Sequence, residues 1–349
     1  MSKEFSLTKR NEHFSESTPQ GDMLRCIFNL TGRIKDLWYA DTFSLPAFGH
    51  LKKYYSGTVI LYCWWDPADD RILMHLDDMD LEFIVITSDP QLVPKHPKIK
   101  TIKWTYQYGY FFELIKPFNS REQEKDYTFL CMMRNHKSER LAFLEELWRN
   151  GLLENNLVSY LGQVNTGQIH GRTNRTYEDL TSKIYIEDSD FEYTPPKDFT
   201  NFLKNLPLEL SQDTTQTLGN NTDFYTCGNP EWYARTQYSV ILETYWARTQ
   251  FLTEKSFKPI VAGHPFINLG NMSNSILSSL GFDVFDDIFD CGFIDALPAR
   301  NKISATIPLL TSIDIDPKRC TDNQHNGQEL LLKAKQEQKE LAQQVINLL

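Results

Sequence analysis

The chain alternates short, continuous apolar runs with polar, turn-rich stretches. TVILYCWW (Thr58–Trp65) is the first run, stopped by Asp66-Pro67, and LEFIVITSDP (Leu81–Pro90) ends in its own Ser-Asp-Pro. KIKTIKW (Lys98–Trp104) is shorter and alternates. Continuous β-branched and aromatic runs bounded by turn residues predict parallel strands covered on both faces. After the polar stretch NSREQEKD (Asn119–Asp126) the pattern restarts, and YTFLCMM (Tyr127–Met133), LVSYLG (Leu157–Gly162) and TQYSVILETYW (Thr236–Trp246) predict further strands. Between the first two of these, RNHKSERLAFLEELWRNGLL predicts a loop and then a helix. Leu141, Leu144, Leu147 and Trp148 share one face of it and Gly151 is placed to end it. FLTEKSFKPIVAGHPFINLG (Phe251–Gly270) predicts a helix capped by Thr253, bent or shortened by Pro259, and then a strand. KAKQEQKELAQQVINLL predicts a C-terminal helix with Leu341, Val345 and Leu348 on its apolar side. RILMHLDDMD is a weaker helix candidate.

Alternating β and α signals in both halves predict an α/β protein of two doubly wound, Rossmann-like domains. The expected boundaries are 1–120 for the first domain and 121–325 for the second, with a polar insertion over 165–221, and 326–349 for the final helix. A length of 349 residues accommodates two cores, and 41% hydrophobic and 13% aromatic content belong to a folded chain.

Charge narrows the partners. A net charge of −10 argues against a broad phosphate-binding face but leaves room for a local basic pocket. The six cysteines form no CxxC pair and lie apart from the histidines, so free thiols of a reducing cytoplasm are expected in place of zinc or a disulfide framework. No signal-peptide core stands at the N-terminus, and no run reaches the roughly 20 apolar residues that cross a bilayer. The expectation is a cytoplasmic protein with no membrane partner.

Two strand-to-helix junctions carry basic residues. At the first, Thr253 caps a helix that begins with Glu254 and carries Lys255 and Lys258 in its opening turns. Helix starts collect anions, and lysines there oppose the helix dipole unless an anion is present. Glu254 can accept hydrogen bonds from vicinal hydroxyls. At the second, RNHKSER places Arg134, Lys137 and Arg140 between a strand and a helix, where α/β proteins hold phosphate groups. The alternative at each junction is an ordinary solvated turn. Glu243, closing the apolar strand VILE, either holds ligand hydroxyls or caps the helix that follows. DDMD (Asp77–Asp80) and DID (Asp314–Asp316) read as solvated turns, so no metal is expected, and His264 reads as a histidine packed in a turn.

The stretch ETYWARTQFLTEKSFKPIVAGHPFINLG resembles the donor-binding region of GT-B glycosyltransferases, the fucosyltransferase-like group in particular, and glycosyltransferase-like proteins of large bacteriophages and other viruses. FLCMMRNHKSERLAFLEELWRNGLL and GFDVFDDIFD fit the same likeness. The resemblance implies a nucleotide-sugar donor as co-substrate, with no other cofactor. Lys255 and Arg134 or Arg140 would hold its diphosphate, and Glu254 and Glu243 would hold ribose or sugar hydroxyls. The first domain would hold a hydroxyl acceptor, either a glycan or saccharide or a hydroxymethylated base in phage DNA reached through the basic segments KRNEH, RIKD and KHPKIKTIK. In an inverting reaction a carboxylate deprotonates that hydroxyl, and Asp66, followed by Glu113, is the candidate. A degenerate, non-catalytic binding module is the competing expectation.

Overall fold

Phe83, Ile84, Val85, Ile86 and Thr87 are buried without interruption. Successive strand residues face opposite sides, so this strand is covered on both. It is β3 of a computed structural model, which describes residues 37–40, 58–63, 82–89, 98–115, 124–135, 137–163, 193, 195–203, 208, 210, 227–244, 246 and 250–349. The strands among these are β1 (Leu37–Ala40), β2 (Thr58–Cys63), β3 (Glu82–Thr87), β4 (Ile99–Lys103), β5 (Tyr127–Asn135), β6 (Leu157–Gln163), β7 (Thr236–Ile241) and β8 (Phe266–Asn268). The α-helices of six residues or more among them are α1 (Ser138–Arg149), α2 (Lys197–Phe202), α3 (Glu254–Val261), α4 (Ser273–Ser279), α5 (Cys291–Ala296), α6 (Ala299–Thr306) and α7 (Pro317–Leu348). The fold is α/β with parallel sheets.

The chain divides into two units, one of residues 1–113 with 328–349 and one of residues 114–327. In the first, β1, β2, β3 and β4 lie side by side in chain order, all parallel. β1 is a strand that the sequence pattern does not announce, because its LWYA is a short run between charged residues. The later part of α7 closes this unit: the Tyr110 hydroxyl donates to Gln338 Oε1 at 2.5 Å, and Lys100 Nζ to the Leu348 carbonyl at 2.7 Å. Gly109 is the close approach, since a Cβ there would stand 2.6 to 2.8 Å from backbone atoms of Leu330 and Leu331.

In the second unit the order is β6-β5-β7-β8, again all parallel. The chain steps outward from β5 to β6 and then returns to the other side of β5 as β7, so the order reverses at β5. α1, α3 and α4 leave the carboxyl ends of β5, β7 and β8. α1 buries Leu141, Phe143, Leu144 and Leu147, and Gly151 ends it at a φ of 66°. Trp148 meets Phe199 and Phe202 of α2 at ring distances of 5.6 Å. Apart from α2 and the bridge of Leu208 to Tyr160, most of the predicted 165–221 insertion lies outside the described residues, as does RILMHLDDMD. Pro259 stands inside α3, which stops two residues later.

α7 starts far ahead of the apolar stripe that predicts it. Its opening residues carry no stripe and are fixed by polar contacts: Arg319 bonds Asp283 at 2.5 and 2.8 Å and Asp287 at 2.7 and 3.1 Å, and lies 4.9 Å from the centroid of the Phe285 ring. Asn323 and Gln324 add bonds to the backbone at Asp283 and Val261. Among the described residues no helix is long and apolar enough to cross a membrane.

Candidate functional site

The polar run Lys137-Ser138-Glu139-Arg140 begins α1, and all four residues are buried, Lys137 to 8% and Arg140 to 2% exposure. A solvated basic turn is therefore not what stands here. Lys137 Nζ donates to the Thr244 carbonyl at 3.0 Å, and Arg140 Nη2 donates to the Leu242 carbonyl at 3.3 Å. The β5–α1 junction is thereby tied to the exit of β7, at the point where the strand order reverses. Arg134 is the second-to-last residue of β5.

No side chain caps α1: Lys137, its cap residue, is extended and makes no capping hydrogen bond. The first amides of a helix have no partner within it. Beside them the Ser138 hydroxyl is buried and has no hydrogen-bond partner. Donors, a hydroxyl and two cations thus share one junction.

The β7–α3 junction reaches the same place. Thr253 caps α3, its hydroxyl accepting from the Lys255 amide at 3.4 Å. Lys255 Nζ donates to Thr244 Oγ1 at 3.1 Å, to Thr253 Oγ1 at 3.2 Å and to Glu254 Oε1 at 3.3 Å. Lys137 holds the carbonyl of Thr244 and Lys255 holds its hydroxyl, so ammonium groups from two different junctions converge on one residue. Burial alone would raise the Glu254 carboxyl, but the charges of Lys255 and Lys258 outweigh it and hold the group below the usual carboxylate range. Lys258 is half-buried a turn further along α3.

Glu243 is fully buried. Its Oε1 accepts from the Thr253 amide at 2.9 Å and the Ser256 hydroxyl at 2.5 Å; its Oε2 accepts from the Thr244 amide at 2.9 Å and the Thr253 hydroxyl at 2.7 Å. A carboxylate offers about four lone-pair sites, and the chain itself fills that number. Of the two roles open in the sequence, the geometry gives Glu243 the one of fixing the start of α3. The network continues through Asn268, whose amide donates to Ser256 Oγ at 2.7 Å and whose Oδ1 accepts from the Gly270 amide at 3.0 Å. Gly270 has no room for a side chain: a Cβ would lie 2.0 Å from Ser273 Oγ and 2.7 Å from Glu243 Cβ. Lys302, buried, donates to the Gly270 carbonyl at 2.8 Å, and burial pulls its pKa down against the opposing charge of Asp295.

Thr244, Ser256, Asn268 and Lys302 are the residues sequence reasoning missed. Thr244, Ser256 and Asn268 carried a faint signal, since small polar residues look like ordinary loop or helix-surface chemistry until burial is known, and Lys302 reads as a solvated helix lysine. The other candidates stand elsewhere. Glu113 belongs to the first unit, where it pairs with Lys335 at 2.9 Å. Asp66 and the DDMD stretch lie outside the described residues. Asp314 and Asp316 are exposed ahead of α7. Among the described residues no group of three or more His, Cys, Asp or Glu could hold a metal ion.

His264 is packed behind this site. Its Nε2 lies 3.0 Å from the Thr236 carbonyl, which can only accept, so Nε2 carries the proton and Nδ1 accepts from the Ser239 hydroxyl at 2.9 Å. Burial drives its pKa down to about 3. The unfolded chain protonates near pH 6.5 while the native state does not, so native stability falls as pH drops from 6.5 toward 3. At pH 5 the loss amounts to about 2 kcal/mol. Urea melts at pH 7 and pH 5 check this: His264→Gln should lose less between the two pH values than the wild type, and equal losses would count against the assignment.

No family model, curated protein or solved structure matches this chain.

Proposed function

We propose that the second unit binds a nucleotide-sugar and that the protein is a glycosyltransferase with two Rossmann-like, doubly wound domains of the GT-B type. The observation that carries the reading is the meeting of Lys137 and Lys255 on Thr244, beside the uncapped start of α1. Ligands of open α/β sheets sit outside the carboxyl ends of the strands where the order reverses. Cations and helix amides gathered there suit a diphosphate, and they suit it better as the glycosidic bond breaks and charge builds on the leaving group. Lys255, Lys137 and Arg140 supply the countercharge, and Lys258 and Arg134 extend it. Glu254 takes a ribose or sugar hydroxyl, and Glu243 positions the Thr253 cap. Without a metal in the scheme, transfer should survive a chelator. The acceptor is a hydroxyl of a glycan or saccharide, or of a hydroxymethylated base in phage DNA.

Thermal melts with a panel of nucleoside diphosphates and nucleotide-sugars test this. A ligand that binds only the native state stabilises it by about 2.7 kcal/mol at 100 times its dissociation constant. We expect stabilisation by nucleotides of one base, lost in Lys255→Ala. Absence of a shift with every nucleotide would remove the reading. A second reading, a binding module without turnover, is favoured by the engagement of Glu113 with Lys335. Release of free nucleotide on incubation with donor and acceptor separates the two.

A further inference from the structure

Lys255 commits every hydrogen of its ammonium group to the chain. An ammonium has three N–H donors, and Lys255 Nζ gives them to Thr244 Oγ1 at 3.1 Å, Thr253 Oγ1 at 3.2 Å and Glu254 Oε1 at 3.3 Å. The first two acceptors are neutral and fixed. Thr253 Oγ1 gives its own proton to the buried Glu243 carboxylate at 2.7 Å, and the Thr244 carbonyl is held by Lys137 at 3.0 Å. The third acceptor is an anion on the neighbouring side chain, and its contact is the longest of the three.

The side chain of Lys255 is 29% exposed and that of Glu254 11%. Solvent therefore reaches the cation at a place where its own neighbour already covers one donor. A phosphate oxygen needs a donor from Lys255. Only the Glu254 contact can be given up without disturbing the Thr253 cap or the Thr244 link between the two junctions. One anion then replaces another, and the displaced carboxylate is short of a donor, which is costly for a group this buried. A ligand that brings a sugar hydroxyl beside its phosphate makes up that loss. A diphosphate with no sugar brings no such hydroxyl.

We infer that Glu254 determines specificity by competition: its carboxylate contends with phosphate for Lys255, and so it selects ligands that carry a diphosphate next to a sugar hydroxyl over diphosphate alone. The inference rests on the reading of the second unit as a nucleotide-sugar site and adds to it an exchange step. Without the competitor, the cations of the two junctions would hold any diphosphate. With it, the sugar part of the ligand has to contribute.

Isothermal titration calorimetry on the full chain, at one ionic strength, tests this with pyrophosphate and with the nucleoside diphosphate that gives the largest thermal shift. Wild type should bind the nucleotide more tightly. Glu254→Gln, which keeps the size and removes the charge, should tighten pyrophosphate by about fivefold, as expected when one partly exposed ion pair leaves the competition. The same variant should bind the nucleotide no more tightly than wild type, so the preference between the two ligands falls by that factor or more. Lys255→Ala should weaken both. If Glu254→Gln fails to fold, Glu254→Ala takes its place with the same expectation. Equal tightening of both ligands would reduce Glu254 to a general negative charge and overturn the inference. Unchanged pyrophosphate affinity would overturn it too, and would leave the nucleotide reading standing wherever nucleotide binding responds to Lys255→Ala. If no nucleotide shifts the melt, that reading falls and takes this inference with it.

Discussion

Glu243→Gln is expected to lower the melting temperature of the second unit by roughly 6–12 °C and to abolish any nucleotide-dependent stabilisation. The amide is nearly the same size, so packing is kept. Its NH2 group, however, faces donors wherever it is turned: the Thr253 amide and Ser256 hydroxyl on one side, the Thr244 amide and Thr253 hydroxyl on the other. A main-chain N–H cannot reverse its role, so either orientation leaves a buried donor facing a donor. Breaking one side of a fully buried charged network costs about 3–5 kcal/mol, and each kcal/mol shifts the midpoint of a unit of this size by about 2–4 °C; the lower end of that cost, about 3 kcal/mol, gives the range above. Ser256→Ala, which removes one donor to the carboxylate and the acceptor of the Asn268 amide but leaves the charge in place, should cost less, about 1–3 kcal/mol. Calorimetry of the three proteins checks the order. A Glu243→Gln midpoint within a degree of wild type would mean that the network is not what fixes α3.

Gly109→Ala is the corresponding expectation for the first unit. The added Cβ would meet the carbonyl oxygen and carbon of Leu330 and the amide nitrogen of Leu331, all within 2.8 Å. These are helix backbone atoms and cannot rotate aside as a side chain can. Relief requires α7 to lift, which strains the Tyr110–Gln338 and Lys335–Glu113 contacts. Overpacking of this kind costs about 1–3 kcal/mol, and an obstacle made of backbone belongs at the upper end. Hydrogen exchange should show lost protection over residues 328–349 with protection of β5, β7 and α1 retained. Unchanged protection over 328–349 would show that the helix accommodates the methyl group.

The strands were the legible part of the fold. A parallel strand buried on both faces leaves a continuous apolar run, and β2, β3, β5, β6 and β7 each stand on a run that predicts them, while β4 stands on the shorter, alternating IKTIK. β1 was not legible because four residues carry too little pattern. The opening of α7 was not legible because Arg319, Asn323 and Gln324 are held by partners distant in sequence, and periodicity reports only apolar faces. At the site, Thr253 as a cap and the basic junctions could be read from local chemistry. Their meeting on Thr244 could not, since it depends on β5 and β7 being neighbours. Glu243 kept two readings in the sequence because a strand-end carboxylate looks the same whether it faces a ligand or its own loop; only its four partners separate them.

The division of α7 between the units sets an order of events during synthesis. Residues 114–327 are contiguous, so the second unit has all its parts once Gly327 has left the ribosome. The first unit is made earlier yet lacks a piece: Gln338, Lys335 and the Leu348 carbonyl, which close over Tyr110, Glu113 and Lys100, are more than 200 residues away in the chain. Domains generally fold as units and in the order they emerge, but here residues 1–113 must wait for residues 328–349, made more than 200 residues later. During that interval the surface that receives α7, Gly109 included, stays open to water and to other chains. Such a nascent protein would depend on chaperones more for its first unit than for its second.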